Sequence, residues 1–184
     1  MDLVVASAEA AEVQVVVEVH QVAGNWLHKV GLGHWHGIYL KRRFFTEEML
    51  NRLAAEITRS ETQHAGELVL AVEAQPPVAE VMSHERALEV FGRLRVWDTP
   101  HRTGVLLYLN LSLHTIEIVA DRGVLVQDEV WQAVCASLSQ SLQKGLYEEG
   151  LKEAIASIER SLAHACEGLP IDAENALIDK PVLL

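Results

Sequence analysis

Four carboxylates stand where this sequence changes from one kind of pattern to another: Glu61, Glu67, Asp98 and Asp121. Acidic oxygens brought together from separate elements are the ligands that calcium or magnesium takes. His64 and His101, close to them in sequence, would widen the choice to zinc or manganese. Arg102 and Arg122 are placed to face a phosphate or carboxylate, with Thr99 beside them. The competing reading is a set of salt bridges that cap element ends. The usual nucleophile signatures are missing: the sequence has no Cys-x5-Arg loop, no Asp-x-Asp after a strand and no Walker A motif. Gly31-x-Gly33-x-x-x-Gly37 follows no clear strand and does not read as a dinucleotide fingerprint. A hydrolase built here would need a metal-activated water. Nothing in the pattern calls for an organic cofactor.

These residues can meet only if the elements between them fold in one particular way. Thr46 reads as an N-cap, and Leu50, Leu53, Ala54 and Ile57 share one helical face that runs toward His64. Residues 67–73 form a buried-type strand closed by Gln75-Pro76-Pro77. Ser83 is placed to cap a second helix with Ala87, Leu88, Phe91 and Leu94 inside. The loop 98–103 leads into a strand over 104–111, and 114–120 returns as its hairpin partner. Two helices follow: Val130, Trp131, Val134, Leu138 and Leu142 mark the first, and Leu151, Ile155, Ile158 and Leu162 the second. Gly168 and Pro170 end the pattern. Strands joined through a helix run parallel with a right-handed crossover, and a hairpin runs antiparallel. The expectation is an α/β fold around a small mixed sheet. Its one edge would gather Glu67, the 98–102 loop, Asp121 and Arg122, with Glu61 and His64 arriving from the first helix.

The chain has 184 residues and a formal charge of -11. An acidic chain repels phosphate backbones, which argues against nucleic-acid binding. Cys135 and Cys166 fall inside helical patterns and read as buried, reduced thiols. Residues 1–24 lack Lys and Arg, so no basic leader is seen and a cytoplasmic location is expected. The run Val13–Val19 alternates weakly and suits an edge strand, a weak helix or disorder. Residues 25–43 are the one basic, aromatic stretch, with Trp26, Trp35, Tyr39, Lys29, Lys41, Arg42 and Arg43. They suit docking to a protein partner or a membrane surface, or an arm packed on the domain, and their glycines should break any long helix. His34 and His36, with His28, add a weaker metal motif. The organisation expected is an N-terminal extension (1–43), an α/β domain (44–168) and a tail (169–184), in an oligomeric state the sequence leaves open.

Four segments together resemble the TPM domain family. They are Ser60-Glu61-Thr62-Gln63-His64-Ala65-Gly66-Glu67, then Trp97-Asp98-Thr99 with Arg102-Thr103-Gly104, then Ile116 to Gly123, and Gly145-x-x-x-x-Gly150-Leu151. The resemblance spans about residues 44–168. It implies a three-layer α/β/α sandwich around a small mixed sheet with one parallel crossover and one antiparallel hairpin. It also implies divalent-cation binding, with Glu61, Glu67, Asp98 and Asp121 in the matching segments. Members are described either as acid phosphatases or as assembly and accessory modules. A cation-binding interaction module is the reading expected for this chain, and a divalent-metal-dependent acid phosphatase-like hydrolase is the alternative.

Overall fold

In the computed structural model the described residues are 14–16, 32–76, 82–171 and 177–184. Helix α1 covers Leu32–Phe44 and α2 covers Glu47–Glu61. Thr46 caps α2, and its hydroxyl accepts the Met49 N–H at 3.3 Å. Strand β2 is Glu67–Glu73, α3 is Ser83–Arg93, and β3 (Gly104–Asn110) turns into β4 (Thr115–Ala120). Helices α4 (Asp128–Gln143) and α5 (Tyr147–Ala165) follow. Two short strands flank the rest: β1 at Gln14–Val16 and β5 at Val182–Leu183. The sheet order is β1-β4-β3-β2-β5. β2 runs parallel to β3 and β5, and β4 runs antiparallel to β3 and β1. The expected crossover and hairpin are both present. No helix among the described residues is long and apolar enough to cross a membrane.

Alternation along the strands sorts the core into two layers. Leu68, Leu70, Val72, Leu107 and Ile118 face the layer of α2, α4 and α5, where Trp131, Leu151 and Ile158 are fully buried. Val69, Ala71, Leu106, Tyr108 and Val119 face α3 with Val90 and Phe91. Every residue of β2 and β3 is buried, as expected for strands covered on both sides. A buried polar clamp fastens α3 to the sheet. Arg86 donates to both Glu73 oxygens at 3.0 and 2.6 Å, and the Tyr108 hydroxyl donates to the same carboxylate at 2.5 Å. Burial and this carboxylate push the Tyr108 phenol well above its ordinary range. Removing one partner of such a pair strands a buried charge and costs about 3–5 kcal/mol.

The structure corrects three expectations and decides a fourth. Gly33 and Gly37 do not break the segment before Lys41, which is helical. Gly37 is there for close approach: a Cβ on it would sit 2.0 Å from the Ala74 carbonyl oxygen and 3.0 Å from the Ser112 nitrogen. Ser83 does not cap α3. It is the helix's first residue, and its hydroxyl pairs with that of Thr115 at 2.6 Å. Of the readings open for the alternating run near the N-terminus, the edge strand is the one seen, at residues 14–16. The segment after 168 is more than a tail, because Val182 and Leu183 extend the sheet. Trp26, Lys29 and His28 lie outside the described residues.

Gly37→Ala should destabilise the fold. Overpacking against backbone costs about 1–3 kcal/mol, more than the helix-propensity gain of ~1 kcal/mol. Urea unfolding should show a lower midpoint with the slope unchanged; an equal or higher midpoint would mean that α1 does not seat against Ala74.

Candidate functional site

The strand register sets two of the candidate positions, Glu67 and Asp121, in one row with Gly104 between them. Glu67 pairs with Gly104, and Asp121 donates its N–H to the Gly104 carbonyl at 2.9 Å. Each interstrand step is about 4.8 Å, so Glu67 and Asp121 stand roughly 10 Å apart along the row. The loop before β3 is held tightly beside them. Thr99 accepts the Thr103 N–H at 2.8 Å, and the Thr103 hydroxyl donates to the Ala65 carbonyl at 2.6 Å. Arg102 sits in the left-handed region at φ 57°, with its carbonyl accepting the Gly123 N–H at 2.9 Å. A side chain at 123 would strike the His101 and Arg102 carbonyls at about 2.4 and 2.5 Å, so only glycine allows this approach.

The candidates divide by environment. Asp121 is buried, and its carboxylate accepts the Arg122 N–H at 2.7 Å. Burial raises its pKa, and the Arg102 charge works against that rise. Arg102 and Arg122 have exposed side chains, and His101 is half-buried. Asp98 turns away from the row to an exposed pair with Arg95 at 3.1 Å. Trp97 is exposed, and the guanidinium of the same arginine lies 5.7 Å from the centre of its ring. Asp98 and Asp121 therefore do not share an ion-sized space with Glu61 and Glu67. Among the described residues, no three His, Cys, Asp or Glu side chains come together closely enough to hold a metal ion.

Glu61 and His64 instead belong to a cluster on the outer side of β2. The Glu61 carboxylate accepts the Leu68 N–H at 2.9 Å. Burial, then the negative charges of Asp179, Glu159 and Glu67, push its pKa up to about 8, against the pull of that hydrogen bond. His64 is buried, and its Nδ1 accepts the Gly66 N–H at 3.1 Å. The ring proton therefore sits on Nε2, which stands 2.9 Å from the buried Glu159 carboxylate. Glu159 and Asp179 were missed in the sequence reading. Glu159 could have been found, since it lies beside Ile155, Ile158 and Leu162 on the inward stripe of α5, where a carboxylate is out of place. Asp179 comes from the C-terminal segment, and its sequence surroundings give no such signal.

A second feature lies at the other end of the sheet. A cavity of about 410 Å³ opens between α1, the β3–β4 turn and α4, lined mainly by Leu40, Phe44, Leu111, Ile116 and Leu142. At its polar side His36 and His114 stand edge to face, 5.4 Å apart. Burial and then the neighbouring His36 lower the His114 pKa, which favours the neutral ring there. Phe44 stacks on Tyr147 at 4.0 Å and closes the wall. On the outward side of α1, Trp35 is 69% exposed and Tyr39, one turn later, 59%.

These elements, in this order, match a known family. The model of the TPM domain family matches residues 38–161. The chain belongs to the TPM domain family. The solved structures include a similar fold, the NMR structure of BA42 protein from the psychrophilic bacterium Bizionia argentinensis. It shares 23% identity with this TPM domain, covers 77% of this chain and 97% of its own, and superposes with a TM-score of 0.67. That likeness is one of fold. No curated protein matches the chain in sequence.

The raised Glu61 pKa makes stability depend on pH with a definite sign. The folded state keeps a proton on Glu61 that the unfolded chain loses near its ordinary value, ~4.3. This stabilisation is complete below that value, declines as pH rises toward about 8, and is flat beyond. Glu61→Gln keeps an acceptor for Leu68 and carries no charge. It should be more stable than the parent at pH 8, and the difference should vanish near pH 4 in thermal melts. An equal difference at both values would show that charge is not the cause.

Proposed function

We propose that this TPM domain is a binding module that captures a protein segment carrying a large apolar side chain flanked by acidic residues. One observation carries the reading: the helix that lines the apolar cavity with His36, Leu40 and Phe44 also presents two exposed aromatic rings, Trp35 and Tyr39. Buried anchor side chains seated in pockets, with aromatic and arginine neighbours, dominate the energy of protein interfaces. A volume of about 410 Å³ suits one anchor group, being near the lower end of the ~300–1,000 Å³ typical of ligand pockets. Arg42 and Arg43 are exposed in the last turn of α1 in a chain of charge -11. An acidic segment would be drawn to this turn and repelled elsewhere.

Panning a random peptide library against the full chain should enrich sequences with one aromatic or large aliphatic residue among Asp and Glu. The double substitution Trp35→Ala/Tyr39→Ala should weaken the selected peptides at least tenfold. Peptides without acidic character, or with unchanged affinity for the variant, would defeat the reading.

A second reading, uptake of a hard cation such as calcium or magnesium, is favoured by Glu61. Carboxylates that hold one another's protons are poised to trade them for an ion. A metal-activated water, and with it phosphatase-like hydrolysis, would depend on that same ion. Calorimetric calcium titrations should then show affinity that rises with pH and levels off above about 8, where Glu61 has lost its proton. Glu61→Gln should remove the pH dependence. Absence of heat at pH 8 with either ion would dispose of this reading.

A further inference from the structure

The outer edge of β2 is covered in an economical way. Glu67 donates its N–H to Thr103, and the Glu73 carbonyl accepts from Leu111, so alternate residues of β2 face β3. The intervening backbone groups, at Leu68, Leu70 and Val72, face outward. Glu61 takes the Leu68 N–H and closes that end of the edge. The remainder receives the chain's own C-terminal segment in parallel. Ala71 pairs with Val182, Val72 pairs with Leu183, and Leu184 donates its N–H to the Val72 carbonyl at 2.9 Å.

The side chains of that segment fit both layers. Leu177, Val182 and Leu184 pack on the α3 side, and Leu183 packs on the opposite side. Lys41 of α1 donates to the Leu184 carbonyl at 2.9 Å. Thr58 bonds Asp179, and Lys180 pairs with Glu47, both on the exposed surface of α2. The seat is thus complementary to this sequence in backbone, apolar contacts and charge. Its hold is slight, since the ladder is two residues long and exposed ion pairs contribute ~0–1 kcal/mol each.

We infer that the β2 edge from Leu70 to Val72 is a strand-acceptor slot that residues 177–184 of a second copy of this chain can enter. The occupant is chosen by what the slot already holds, because an identical segment from another copy makes identical contacts. The α1 docking face is not needed for this exchange, so the two proposals stand or fall separately.

The test uses full-length chains and a labelled peptide with the sequence of residues 177–184. In Val182→Asp/Leu184→Asp the chain's own segment is disabled while the slot is intact. Fluorescence anisotropy should show the peptide binding this variant at least tenfold more tightly than the parent. Light scattering should show a dimer of the parent at high concentration that the variant does not form. Should the variant lose its circular-dichroism signature, Asp179→Ala/Lys180→Ala loosens the same segment without touching the core or the seat and takes its place. Absence of peptide binding would overturn the slot. Peptide binding with a parent that stays monomeric throughout would overturn the second copy as occupant.

Discussion

Parallel pairing of β2 with β3 over seven residues, with both strands buried on both faces, is the constraint from which the remaining geometry follows. Strands in that position leave no solvent face, so helices must cover each side. The crossover through α3 supplies one cover, and α2, α4 and α5 supply the other. The register then decides what lies at each end of the sheet. Glu67, Gly104 and Asp121 fall in one row at one end, while Glu73, Asn110 and Thr115 mark the other.

The two ends are built from different physical chemistry. At the first, charge is taken inside. Glu61 finishes an open strand edge, and Glu159 faces the proton-bearing nitrogen of His64. These groups are crowded because the C-terminus of α2, the inward stripe of α5 and the C-terminal segment all meet there. At the second end, charge is matched in the Glu73–Arg86–Tyr108 clamp, and an apolar cavity opens behind it. Protonation dominates the one environment and packing the other. Edge strands invite pairing with other chains, and a carboxylate directed at an exposed N–H is one way of blunting them.

Much of this was legible in the residues. Strand β2 was bounded correctly by Glu67 and by the proline turn after Glu73. The hairpin and the last two helices were found from alternation and from apolar stripes, since burial on a regular lattice leaves a period in the sequence. Topology also brought Glu67 and Asp121 to one end, as the strand order required. The spacing within that end was not legible, because residues in one row of a sheet are separated by whole interstrand steps. Asp98 was lost to a neighbour three residues away, Arg95, with which it forms an exposed ion pair. Gly37 was misread because a glycine that admits a close neighbour looks, in one dimension, like a glycine that ends a helix. The role of residues 177–184 was hidden because a two-residue strand has no period to detect.

The covering of β2 also sets an order of events during synthesis. The ribosome releases β2 before α3, the hairpin, α4 and α5, and only afterwards the segment that pairs with its outer side. Until that segment emerges the nascent domain therefore carries a hydrophobic strand with one flank uncovered. Glu61, made just ahead of β2, can shield Leu68 as soon as both have emerged, which leaves Leu70 and Val72 as the stretch that awaits residues 177–184 or a chaperone.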